Sequence, residues 1–188
     1  MLPERLSCQG AVSSPGEPVD RVAYDVVLKQ VDPQRVVSIH EVIPTYSDMG
    51  RLFVEIGAHL SQQRARAIGP SMTIYYDTEY RERDIDVETA TPVDAAVPGN
   101  DRVRRRELPG VKTMACVLHQ GPYDGLGQAY NALLGWIQAN GYRIVGPNRE
   151  VYLRCPDNGY DDPTVWSGYI AQDPADFLAE IQFPVEKA

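Results

Sequence analysis

The sequence is poor in the residues that most catalytic and metal chemistry requires. Its only histidines are His40, His59 and His119, and no H-x-x-x-H pattern or nearby carboxylate gives them metal-ligand spacing. The three cysteines, Cys8, Cys116 and Cys155, are odd in number and far apart, with no C-x-x-C pair. That excludes a disulfide framework or a zinc ribbon as the organising device and fits a cytoplasmic protein. No G-x-S-x-G or phosphate-loop pattern occurs. Positive charge is scarce, with 18 Lys and Arg against 26 Asp and Glu for a net charge of −8. Gripping phosphates takes a basic footprint, so nucleic acid is not expected as a partner of this chain alone. The one basic stretch, RVRRRE (102–107), reads as a charged edge strand. No apolar run approaches the roughly 20 residues of a membrane span, and none is expected. The opening MLPERLSCQG breaks at Pro3 and its charges, unlike a secretory signal.

What is present is apolar surface and tyrosine. The 188 residues are 43% hydrophobic, enough for one large domain or two closely packed modules. Eleven tyrosines outnumber three phenylalanines. That skew suits aromatic walls with apolar ring faces and wet hydroxyls. Residues 1–24 are rich in Pro, Gly and Ser and read as a flexible lead-in. The β-branched runs DVVLKQV (25–31) and RVVSIHEVI (35–43) predict strands. Thr45 or Ser47 can cap a helix that starts at Met49, with apolar residues at 49, 52, 53, 56 and 60. Strands follow at 71–77 and 85–93, then to about Leu108 and at 111–119. A second helix is expected at 124–140, with a stripe of Leu126, Tyr130, Leu133, Leu134 and Ile137 and a Gly141 stop. GPNREVYLR (146–154) and FLAEIQFPV (177–185) alternate as strands, separated by a long excursion at 155–175.

The chain also resembles itself. Displaced by 77 residues, Tyr46 falls on Tyr123, Gly50 on Gly127, Phe53 on Tyr130, Gly69-Pro70 on Gly146-Pro147, and Tyr75 on Tyr152. Displaced by 76, Pro33 falls on Pro109, and by 92, Glu88 falls on Glu180. Two strand-helix-strand-strand modules result, at about 25–94 and 102–188, with about fifteen extra residues in the excursion. The expected fold is α+β, an antiparallel sheet carrying two helices, with a ligand cleft on the pseudo-two-fold axis. Glu150 falls on Thr73, so the acid has no twin while its strand neighbour Tyr152 has Tyr75. The Met72, Ile74, Val151 and Leu153 face is expected to carry the helices, and the Thr73, Tyr75, Glu150 and Tyr152 face to turn away from them.

The run HQGPYDGLGQAYNALLGWIQANGYRIVGPNREVYL (119–153), with the closing EIQFPV (180–185), resembles the GyrI-like small-molecule-binding domain. That domain also forms the effector-binding end of multidrug-responsive regulators of the MerR and AraC types. The resemblance covers about residues 25–188. It implies a central cleft for lipophilic, often cationic aromatic compounds and no cofactor. The family's cleft glutamate matches Glu150, and its aromatic slot maps onto Tyr75, Trp136 and Tyr152, with Tyr46 beside them.

Three functions compete for these residues. In the first, the cleft binds drugs for sequestration or sensing, with Glu150 as counter-charge and rings adding cation–π attraction. In the second, Glu150 and Tyr152 act as general acid–base groups in a hydrolase that opens cyclopropane-bearing alkylators, as some family members do. In the third, the domain inhibits gyrase as a protein-interaction module, which leaves an aromatic cleft without a role. Bland readings stand beside each residue. Glu150 would be an exposed strand carboxylate, Tyr75 and Tyr152 sheet tyrosines, and Trp136 core packing. Trp166, Tyr160 and Tyr169 in the excursion would form a lid.

Overall fold

The computed structural model describes residues 24–157 and 162–188. The chain order is β1 (Val26–Val31), β2 (Gln34–Ile43), α1 (Met49–Gln62), β3 (Ser71–Tyr75), β4 (Ile85–Pro92), β5 (Arg104–Leu108), β6 (Val111–Gln120), α2 (Leu126–Ala139), β7 (Tyr142–Ile144), β8 (Asn148–Arg154) and β9 (Leu178–Lys187). Short 3-10 turns at Tyr46–Asp48 and Tyr123–Gly125 lead into the two helices. The first is fixed by a reciprocal cap in which the Thr45 N–H donates to Asp48 Oδ2 at 3.0 Å. The second helix is stopped just past its end by Gly141, whose φ of 66° is left-handed and favours glycine. β7 is the one strand the pattern of residues did not announce, since three residues are too few to alternate.

The sheet runs β1-β6-β9-β8-β3-β4-β2-β5, with β7 beside β9, and every strand pair is antiparallel. The order is symmetric about the β8–β3 pair. One half supplies β2, β4 and β3, and the other supplies β6, β9 and β8 in mirrored sequence. The edges are exchanged: β1 leads into β2 but pairs with β6, and β5 leads into β6 but pairs with β2. Each half therefore borrows an edge strand from the other, so the two cannot separate without breaking a ladder. The charged β5 sits at one edge, as its arginines suggest, and Arg106 reaches inward to Glu88 at 3.0 Å.

Both helices lie on one face, and it is the opposite of the face the alternation suggested. α1 buries Met49, Leu52, Phe53, Ile56 and Leu60 against Ile39, Ile43, Val87 and Tyr152. α2 buries Ala129, Leu133 and Ile137 against Ala115, Val117, Ile181 and Phe183. These strand residues share the face of Thr73 and Glu150, as the cross-strand pairs show. Met72, Ile74 and Val151 instead join Val36, Ala90 and Leu108 in a cluster built from five neighbouring strands. Near the symmetry axis both faces are buried, so apolar alternation cannot tell which one the helices cover. Among the described residues, no helix is long and apolar enough to cross a membrane.

Candidate functional site

A cavity of about 990 Å³ opens between the first turns of α1 and α2, with β3 and β8 as its floor. Its size is in the range that holds a drug-sized molecule. Met49, Gly50 and Phe53 face it from α1, and Leu126, Gly127 and Tyr130 from α2. Gly50 and Gly127 are the twin glycines of the sequence repeat. A Cβ on Gly127 would meet no atom within 4 Å, so the missing side chain leaves the space open.

Glu150 stands at the symmetry axis itself. The β3–β8 ladder pairs Ser71 with Tyr152, Thr73 with Glu150 and Tyr75 with Asn148. Exchanging the halves maps this ladder onto itself and swaps Thr73 with Glu150. The acid and its twin position are therefore direct cross-strand neighbours, with Cβ atoms about 5 Å apart. Two acids there would face each other as like charges, which ladders disfavour. The lone acid follows from where the axis falls.

Three phenols hold this carboxylate. Tyr75 and Tyr152, twins across the axis, place their hydroxyls 3.0 and 2.9 Å from Oε2. Tyr130 of α2 donates to Oε1 at 2.6 Å and itself receives the Asn148 amide at 3.0 Å. The Tyr152 hydroxyl also lies 3.1 Å from Thr73 Oγ1, but its single proton goes to the carboxylate, the stronger acceptor. Thr73 in turn reaches Met49 Sδ at 3.0 Å. Burial pushes the phenols of Tyr75, Tyr130 and Tyr152 well up from their ordinary value, and the charge of Glu150 pushes them further. They therefore remain neutral donors. Glu150 is 7% exposed, and no Lys, Arg or His stands among the described residues that line the cavity. Among the described residues, the carboxylate is satisfied by neutral hydroxyls alone.

The cavity's two ends differ. Cys155, Pro156, Trp166 and Tyr169, from the long connection after β8, close one end. Trp166 is buried there, edge-on to Phe53 at 6.5 Å. The other end is the mouth, formed by Tyr46 and Ser47 together with Asp77, Thr78, Glu79 and Tyr80.

Of the residues singled out in the sequence, Glu150, Tyr75, Tyr152 and Tyr46 meet in this cavity. Trp136 does not. It points away, stacked on Tyr142 at 5.6 Å, and packs into the α2 core. Its place at the edge of the helical stripe allowed either side, and β7 gave it a partner on the far one. Trp166 and Tyr169 line the closed end, whereas Tyr160 lies outside the described residues. The apolar stripe assigns Tyr130 to helix packing, yet its hydroxyl hydrogen-bonds the acid. Its twin, Phe53, carries no hydroxyl, and that difference was the available signal.

Comparison with known families matches residues 24–185 to the GyrI-like small molecule binding domain. The C-terminal domain of EcmrR superposes with a TM-score of 0.75 at 30% identity, covering 88% of this chain and 99% of that one. EcmrR in its DNA complex gives the same score and identity, but the chain spans only 58% of it. SAV2435, bound to tetraphenylphosphonium, aligns over 86% of this chain and 94% of its own with a TM-score of 0.50. At 13% identity that likeness shows the fold alone. No curated protein sequence matches. With the family match spanning nearly the whole described chain and the EcmrR domain alike in sequence as well as fold, the chain belongs to the GyrI-like small-molecule-binding domain family.

Proposed function

We propose that the cavity binds lipophilic aromatic cations, with Glu150 as the central counter-charge. The observation that carries this reading is a buried carboxylate in an aromatic cavity whose described lining contains no basic side chain. Such a site has a negative field, and no basic side chain of its described lining cancels it. A carboxylate offers about four acceptor positions, and three are already taken by phenols. A ligand is then recognised by its charge and flat surface more than by hydrogen bonds it could donate. That suits quaternary ammonium and phosphonium ions, which have no N–H. Tyrosine faces add about 0.5–2 kcal/mol each through cation–π attraction. The tetraphenylphosphonium bound to SAV2435 belongs to this chemical class and is the natural probe. Sensing or sequestration would both use the site in this way.

The test is Glu150→Gln, titrated with tetraphenylphosphonium or a rhodamine. The amide keeps the shape, and the phenols can turn to suit it, so folding should be spared. Affinity should fall about tenfold or more, the usual scale for removing one partner of a buried charge contact. Unchanged affinity in a folded variant would sink the proposal. The hydrolytic alternative draws less support from this geometry. Phenols held well above their usual range are weak proton donors to a reacting group at neutral pH.

A further inference from the structure

The mouth of the cavity carries a second negative pole. Glu79 is exposed and has no ion pair among the described residues. Asp77 is shielded, with Oδ2 accepting the Asp86 N–H at 2.8 Å and Oδ1 lying 3.4 Å from Arg81 Nε. Beside them Tyr80 is 79% exposed and stacks on Tyr46, with centroids 6.0 Å apart and planes 15° off parallel. Tyr46 in turn lies 6.3 Å from the Tyr75 ring, whose hydroxyl donates to Glu150. A continuous ladder of three rings thus joins the open mouth to the buried acid. The phenol of Tyr46 is raised first by burial and then by Tyr80, Glu150 and Asp77, so the inner acid and the shielded mouth carboxylate both act on this one ring.

An exposed, solvated aromatic pair is unusual unless something covers it, since a stacked pair offers flat apolar area to water. The pole beside it has the same sign as the inner one. A ligand with one cationic head leaves the outer pole unanswered, and the cavity is roomy for a single flat head. We propose that the mouth is an outer cation subsite formed by Tyr46, Tyr80 and Glu79, and that the preferred ligands are elongated dications with one aromatic head at Glu150 and the other at the mouth. This rests on the cation-binding reading of Glu150 and specifies its ligand class. Linking two heads makes the second contact intramolecular, so affinity rises without new chemistry at the inner site.

The experiment compares dequalinium, two quinolinium heads on a polymethylene linker, with N-methylquinolinium, a single head. The wild-type protein should bind dequalinium at least about tenfold more tightly. Tyr80→Ala and Glu79→Gln should each lower that ratio about two- to fivefold, the scale of an exposed cation–π or rim charge contact. Both side chains are exposed, so neither change threatens the fold. Glu150→Gln should weaken both ligands and leave the ratio largely in place. Equal affinities for the two ligands in the wild type, or a ratio indifferent to both mouth variants, overturns the outer subsite while the inner one stands. Weak single-head binding that ignores Glu150→Gln overturns the inner reading instead. If neither ligand binds, both fall.

Discussion

The two halves of this molecule share a plan and differ at the positions that matter. At the axis the first half has Thr73 and the second has Glu150, direct neighbours across one ladder. On the helices the first half has Phe53 and the second has Tyr130, so one side supplies a bare ring and the other a donor to the acid. In the connections after β3 and β8, the first half has a short acidic loop with an exposed Tyr80, and the second a long segment that buries Trp166. A symmetric scaffold thus yields a polar, directional cavity, acid at the centre, open and acidic at one end, closed and apolar at the other. Symmetry fixed the place of the cleft, and the departures from symmetry gave it chemistry.

Restoring symmetry at the axis should do the most damage. Thr73→Glu places a second carboxylate opposite the first in a fully buried position, costing about 3–5 kcal/mol at neutral pH. Thr73→Gln separates bulk from charge. The charge part should shrink as pH falls, because like charges raise the folded-state pKa of such a pair and protonation relieves the repulsion. Urea melts of both variants from neutral to acid pH measure this. A cost in Thr73→Glu no larger than in Thr73→Gln at every pH would show that the two side chains do not meet.

Removing the asymmetric phenol should matter less. Tyr130→Phe makes α2 resemble α1 and deletes one charge-assisted hydrogen bond, worth about 1.5–3 kcal/mol. It also changes the alkaline limb of stability. A phenol whose folded pKa is raised contributes stability that is intact below the unfolded value of about 10 and is lost as pH rises beyond it. Wild-type melts should therefore weaken steeply above that pH, and the variant less steeply. Parallel alkaline slopes would mean that Tyr130 is not buried against Glu150.

The smallest effect belongs to Trp136→Phe. Stacked on Tyr142 away from the cavity, it should leave tetraphenylphosphonium affinity within about twofold, while costing modest stability, about 1 kcal/mol. A large loss of affinity in a variant of normal stability would return Trp136 to the cavity wall.

Much of the fold was legible in advance because helices and strands advertise themselves through local period. The spacing at Met49, Leu52, Phe53, Ile56 and Leu60 marked α1 from its observed start, whereas its end at Gln62 carries no such mark. The Gly-Pro pairs and the displacement by 77 residues made β3 and β8 equivalent in role, and so singled out Glu150 as the acid at the position of Thr73. The face covered by the helices was not legible. Alternation distinguishes two faces only when one of them is wet, and here Met72 and Thr73 are both buried. Tyr130 and Trp136 were ambiguous for a related reason. A side chain beside an apolar stripe can turn toward either neighbour, and which one it meets depends on how β7 and β8 fold back on α2.

By itself the sequence determined two like modules, a single unmatched acid and an excess of tyrosine. Those are properties of order and composition, and they survive any arrangement of the chain. Only the tertiary structure decided that the acid and its twin position meet on one ladder. The same structure placed three phenols around that acid and opened the mouth past Tyr46 and Tyr80. Contacts between β3, β8 and α2 join residues far apart in sequence, and no local period records such distances.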